Sequence, residues 1–467
     1  MEFPTLDMQG HPNTARSHDP LAVAVANASL LGVGYLMLGR RWLAVLAELV
    51  TVGLVVVLVV AVRAAWLEMV LLVWWVAVIA HGWVLARRPP RRTVRWQRVV
   101  ALIVTVPVLL AVVLLRIQAA GIGRDVAQAR GDGDCTQALT ALDSIWLGDR
   151  VADAPLTARL DLTARACHQL HAAMALLRTA GTGDIDALKA GFADLAAVLA
   201  QLPGHEKMVD TVLNWFLSGQ SWTGHCQAAD ITDWLRHRPA THNALDRSAG
   251  VATHAEPGAL VGCGDDLMSR QDWAAAQARY QQLLDRFPGN QLTGRAQQGA
   301  QRARLAVELA NVRSLLQGGT GSTQPAYCAT PAPYGDAAPY GKRINAGLIY
   351  GNDDYTHQLP SQWRASDPTK AVLVVCAGET QFGPAVRTCT YQSETNPNTV
   401  VDVTFHKIKI SVKAYELRTG NLVFNASVNI GGRSCPNTFR SEGVPTDRYV
   451  EPADSDVRAA FAPLFTP

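Results

Sequence analysis

Apolar residues are unevenly distributed along this chain. They come first as four long runs, residues 21–39, 43–62, 64–86 and 99–115, then at three- and four-residue spacing, and finally in short alternating stretches. A bilayer core of about 30 Å takes about 20 residues of helix, so the four runs predict four membrane spans. The last run contains Pro107, which membrane helices tolerate. From 121 to 317 the alanine-rich periodicity predicts amphipathic helices. Residues 318–340, rich in Gly, Thr, Ala and Pro, read as a linker. Beyond it, 371–376, 387–392 and 400–412 read as strands, Arg418-Thr419-Gly420-Asn421 as a hairpin turn, and 454–465 as a closing helix. The expected architecture is multi-domain: a polar tail (1–20), a four-helix transmembrane region (21–117), a helical repeat domain (121–317), the linker, and a disulfide-containing, mainly antiparallel β (α+β) domain (341–467).

Charge gives the spans a direction. Arg87, Arg88, Arg91, Arg92, Arg95 and Arg98 precede the last run, and basic loops stay in the cytoplasm. Residues after about 117 are then extracytoplasmic, the Arg40-Arg41 turn is inside, and the N-terminal tail is outside. Eleven of the 42 basic and five of the 39 acidic residues lie before residue 118, which leaves 31 basic against 34 acidic groups beyond it. The soluble part therefore offers no basic excess to phosphates, and nucleic-acid binding is not expected. High alanine, leucine, valine and arginine with few lysines points to a GC-rich bacterial genome of the actinobacterial kind.

All eight cysteines, Cys135, Cys167, Cys226, Cys263, Cys328, Cys376, Cys389 and Cys435, follow the last span. An even number on the presumed outer side suits disulfides in an oxidising compartment. Cys328, Cys376, Cys389 and Cys435 allow three connectivities. Inside the spans, Glu48 and His81 fall at matching depth. They are read as a helix-tying hydrogen bond or a snorkelling carboxylate or, less conservatively, as an ion or proton site.

Gln271-Asp272-Trp273-Ala274-Ala275-Ala276-Gln277-Ala278-Arg279-Tyr280 through Pro288 resembles the second helix of a tetratricopeptide repeat, with Trp273, Ala276, Tyr280 and Pro288 at the pattern's aromatic, small, bulky and stop positions. Weaker echoes begin at Gly133 and Gly224. Stacked helical hairpins of that kind imply the pairings Cys135–Cys167 and Cys226–Cys263, each partner on the next helix. Asn27 with Gly32-Val33-Gly34-Tyr35 and Gly39-Arg40 resembles a widespread bacterial membrane hairpin, with Leu31 where that family carries proline and Met37 at its tyrosine position. It implies anchoring. The C-terminal run of Val-Val-Cys, Cys-x-Tyr, a Thr-Gly hairpin and Cys-Pro is similar to a domain of assorted bacterial envelope proteins.

No Gly-x-Ser-x-Gly elbow, Walker loop or HExxH occurs, and Asp265-Asp266 and Asp353-Asp354 read as solvated pairs, so an enzyme is not expected. Cys167-His168 with His171, and His225-Cys226, fall short of the three or four ligands zinc wants once the cysteines are bridged; no metal or cofactor is expected. The expected function is a membrane-anchored extracytoplasmic scaffold or binding protein for a protein or envelope ligand. The alternative is an integral subunit of a membrane transport or assembly complex, with Glu48, His81 and Asn27 as its working groups.

Overall fold

The computed structural model describes residues 19–58, 65–87, 95–219, 222–394, 396, 398–438, 440 and 446–467. The polar tail up to residue 18, Arg63 and Arg88, Arg91 and Arg92 of the basic loop lie outside the described residues. The chain divides into two compact units, 1–254 and 255–467.

The first unit opens with a broken helix. Asp19 caps α1 (Pro20–Asn27), accepting from the Leu21 amide, and Pro20 suits the first turn. The chain then turns left-handed at Leu30 (φ 63°) and Gly32 (φ 62°) before α2 (Val33–Met37). The first apolar run is therefore eight plus five helical residues with a break between them, not one span. In α3 (Arg41–Val56), 16 residues are helical, and the helical course goes on as a π turn through Leu58; residues 59–62 of the second apolar run lie outside the described residues. Among the described residues two helices, not four, are long and apolar enough to cross a membrane: Trp66–Ala86 within α4 (Ala65–Ala86), and α5 (Arg95–Asp132). Pro107 sits inside α5 without ending it, and α5 continues through Ile117 without a joint.

Seven helices follow in this unit or at its edge: α6 (Cys135–Asp143), α7 (Leu147–Ala152), α8 (Ala154–Ala180), α9 (Ile185–Gln201), α10 (Glu206–Leu217), α11 (His225–His237) and α12 (Arg247–Ser269), inside which the two units divide. Aspartates set their starts. Asp134, Asp153 and Asp184 accept from the amides of Gln137, Leu156 and Ala187, each satisfying a donor that a helix N-terminus leaves open. Leu170, Leu177, Leu188, Leu195, Met208, Leu213 and Phe216 build one core between α8, α9 and α10. Cys135 and Cys167 are bridged, the expected pair, but the bridge clasps α6 to α8, with the short α7 between them in the chain, and not to the next helix. Cys226 and Cys263 are disulfide-bonded as well, and no cysteine is free.

The second unit contains α13 (Trp273–Arg286) and α14 (Thr293–Leu316). Tyr280 is wholly buried between two glycines, Gly264 and Gly299, at each of which a Cβ would come within 2.5–2.6 Å of its ring. Asp265 accepts from the Tyr280 hydroxyl at 2.6 Å and pairs with Arg295 at 2.5 Å, so it is no solvated acid. Residues 318–340 do not behave as a linker. Tyr327, Cys328, Tyr334 and Ala337 are buried in one cluster with Val312 and Leu316 of α14, and the Tyr327 hydroxyl donates to Ala332 O.

The sheet is mixed, in the order β1-β2-β3-β4 with β5 beside β3. β1 (Gly347–Tyr350), missed as a strand in the sequence, runs parallel to the start of β2 (Leu373–Gln392); α15 (Asp353–Thr356) lies between them in the chain. β2 fuses the two expected strands into one, bent by register shifts between Ala377 and Arg387, and pairs antiparallel with β3 (Val400–Glu416). β4 (Leu422–Ile430) returns through the expected turn, with Gly420 at φ 72°. β5 (Asp447–Tyr449) is parallel to β3, and α16 (Asp454–Phe465) closes the sheet with Val457, Phe461, Leu464 and Phe465 in its core. The open connectivity resolves as Cys328–Cys376 and Cys389–Cys435.

Candidate functional site

A polar recess opens beside the parallel β1–β2 pair. It is about 540 Å³ and is lined by Asn352, Asp353, Asp354, Glu379 and Thr380, with Gln324 at one edge. Its walls come from two local irregularities. After β1 the chain passes through Gly351 (φ 82°) and Asn352 (φ 56°), both left-handed, and turns sharply into α15. A side chain at residue 351 would run into Ala377 O, so glycine is needed there. Opposite, the register of β2 against β3 slips between Ala377 and Thr380, which pushes Gly378 and Glu379 out as a bulge.

The Asn352 carboxamide joins the two walls. Its Nδ2 donates to Gly378 O at 2.8 Å and to Thr380 Oγ1 at 3.1 Å, while its Oδ1 is buried with no partner. Gln324 Nε2 donates to Ala377 O at 2.7 Å and holds the third side. The side-chain carboxylates of Asp353, Asp354 and Glu379 are exposed and make no hydrogen bond or ion pair among the described residues. Burial, and then the Asp354 charge, push the neighbouring Tyr355 hydroxyl up from its ordinary pKa. The recess thus presents three negative charges, with no cation in its lining, and the unpartnered Asn352 Oδ1 is buried in its wall. Such a surface is complementary in charge to a donor-rich, positively charged group. Among the described residues no cluster of His, Cys, Asp and Glu is arranged to hold a metal ion.

The intramembrane candidates separate. His81 is bonded through Nδ1 to the Tyr35 hydroxyl at 2.9 Å, not to Glu48. Glu48 lies on an exposed face of α3, among exposed Val45, Leu46, Leu49 and Val52, and has no partner among the described residues. Equal depth along two helices does not put two side chains on facing sides. The groups that do meet at the helix break are Asn27, whose Nδ2 donates to Val78 O, Tyr35, and Trp75, whose Nε1 donates to Ala28 O at 2.9 Å. Asn27 is packed against Gly34 and Gly82, and that glycine pair was the available sequence signal. His168 and His171 are exposed on α8, and Cys167 is bridged.

The chain matches no protein-family model, and no curated protein or solved structure shows significant similarity to it.

Proposed function

We propose that the chain is a membrane-anchored binding protein whose disulfide-bonded region lies outside the cytoplasm and whose C-terminal unit captures a lysine- or arginine-bearing segment of an envelope partner. The recess carries this reading: three unpaired carboxylates and a buried, unsatisfied Asn352 acceptor on one rigid frame. Two apolar helices and four bridged cysteine pairs support the membrane and the oxidising compartment. The helices of 121–317, read as tetratricopeptide-like hairpins, would offer further binding surface within each unit.

Carbodiimide crosslinking in intact cells tests it, because this zero-length chemistry joins a carboxylate to an amine already touching it. The expected result is a partner lysine joined to Asp353, Asp354 or Glu379, absent from the Asp353→Asn, Asp354→Asn, Glu379→Gln variant at equal protein level. Adducts that persist in the variant, or none at the recess, refute it. The alternative, working spans in a membrane complex, rests on Asn27, Tyr35 and His81 meeting at a helix break.

A further inference from the structure

The broken helix at the start of the chain enters and leaves by the same end of α4. Asp19, at the head of α1, accepts from Arg98 Nε at 2.6 Å and its amide donates to Gln97, both in the first turn of α5. Eight residues on, Asn27 reaches Val78 O, and Trp75 reaches Ala28 O just beyond it. Then the chain rises again: the Tyr35 hydroxyl meets His81, and Leu38 and Leu43 pack in one cluster with Leu85. Val78 lies eight residues, about 12 Å of helix, before Ala86 at the end of α4. If α4 and α5 cross a bilayer core of about 30 Å, a hairpin of that depth reaches about half-way in from the arginine-rich side, as a re-entrant segment does. Residue 19 then lies on the same side as Arg98; the tail before it, for which an outside position was expected, lies outside the described residues.

A helix that stops half-way leaves grooves on both flanks that are one leaflet deep. Between α1 and α4, Leu21, Ala24, Ile79, Ala80 and Trp83 line an apolar groove of about 410 Å³. Between α1 and α5, Leu21, Ala22, Val25, Ala101 and Leu102 line a second of about 210 Å³, and Arg98 is part of its wall. Leu21, 56 % exposed, is the ridge between them. Each groove has an arginine at its outer end and none deeper. Arg87 stacks 3.3 Å over the Trp83 ring, and Arg98 keeps 44 % of its side chain exposed although Nε is engaged by Asp19.

We propose that this end of the molecule is a binding site for an anionic phospholipid of the arginine-side leaflet. The two acyl chains straddle Leu21, one in each groove, and the phosphate lies between Arg98 and Arg87. Charge complementarity selects the occupant: a purely apolar ligand would make no use of the exposed part of the Arg98 guanidinium. A partner's membrane helix would cross the whole core and lose its contact where α1 ends, whereas a lipid tail is as short as the groove. Asp19 takes only the inner edge of the Arg98 guanidinium and caps α1, so the outward nitrogens face the headgroup.

The proposal shares with the functional reading only that α4 and α5 lie in a membrane, and the experiment separates the two. Full-length protein is incorporated into vesicles of equal parts phosphatidylglycerol and phosphatidylcholine. It is then extracted in mild detergent and its retained lipid counted by native mass spectrometry. Release of the protein from cell membranes by alkaline carbonate would overturn the membrane reading and this site together. An integral protein is expected to retain phosphatidylglycerol in preference to phosphatidylcholine. Arg98→Gln should weaken that retention about fivefold, the loss expected for one basic residue at a membrane surface. Ala80→Phe, which fills the larger groove without touching the Asp19–Arg98 pair, should also displace the lipid. Retention blind to headgroup charge, or unchanged in Ala80→Phe, overturns the site and leaves the proposed function standing.

Discussion

Tyr280 is held in a slot cut by two glycines, so Gly299→Ala should act through this ring alone. A Cβ at residue 299 would stand 2.6 Å from the Tyr280 Cζ, well inside van der Waals contact. The ring cannot retreat: it is fully buried, Gly264 stands at 2.5 Å from Cε1 by the same measure, and Asp265 fixes the hydroxyl. Overpacking of a filled core costs about 1–3 kcal/mol. Against it, alanine is favoured over glycine inside a helix by about 1 kcal/mol. The net loss reaches about 2 kcal/mol, and at about 2–4 °C per kcal/mol for a unit of this size the melting temperature falls by up to about 8 °C. The assay is thermal unfolding of the detergent-solubilised chain, followed by near-UV circular dichroism. In a Tyr280→Ala background the clash is gone and only helix propensity remains, so the same Gly299→Ala change should raise the midpoint by about 2–4 °C relative to Tyr280→Ala alone. Equal destabilisation in both backgrounds would refute the steric argument, because the penalty would not then pass through the ring.

Two further outcomes follow from described contacts. Asp246 accepts from the amides of Thr241 and His242 and from the Thr241 hydroxyl, and the Thr241 amide is first among the contacts that hold its carboxyl down to about 2. A depressed carboxylate stabilises the folded state above its unfolded pKa of about 3.9, and that contribution is lost as pH falls through the folded value. Asp246→Asn should therefore melt below wild type at neutral pH, with the gap closing between about pH 4 and about pH 2; a gap independent of pH would count against the carboxylate. Tyr35→Phe removes the bond to His81 and should cost about 1 kcal/mol, read as earlier proteolysis of the α1–α2 hairpin in the solubilised chain, while Glu48→Gln leaves the cleavage pattern unchanged.

What the sequence showed depended on how local the signal was. The closing helix 454–465 and the turn at Gly420 rest on residues close together, and each was readable; the Cys135–Cys167 pairing was expected only through the tetratricopeptide resemblance. A hydropathy window averages over the first apolar run and is blind to two left-handed residues, Leu30 and Gly32, that break it. β1 is four residues long and owes its place to a parallel partner 26 residues downstream, which no pattern within the segment signals. Composition marked 318–340 as a linker, yet Tyr327 and Tyr334 in it are core residues, and their burial depends on α14 and β3. The recess is harder still. Asp353 and Asp354 look like any solvated pair until the bulge at Gly378 and Glu379 is folded opposite them.

The unbroken course of α5 has a mechanical consequence. Thirty-eight helical residues make a shaft of about 57 Å. Its far end is not free: Ile122, Val126 and Ala129 are buried among the helices that follow. A flexible tether of the same length would let the attached helices drift and tumble, decoupled from events below. A shaft does the opposite. On the proposed placement, any tilt or rotation of α5 in the bilayer, around Pro107 for example, swings the buried end through the same angle. The first helical layer would then meet its partner at a fixed height and heading set by the lipid beneath it.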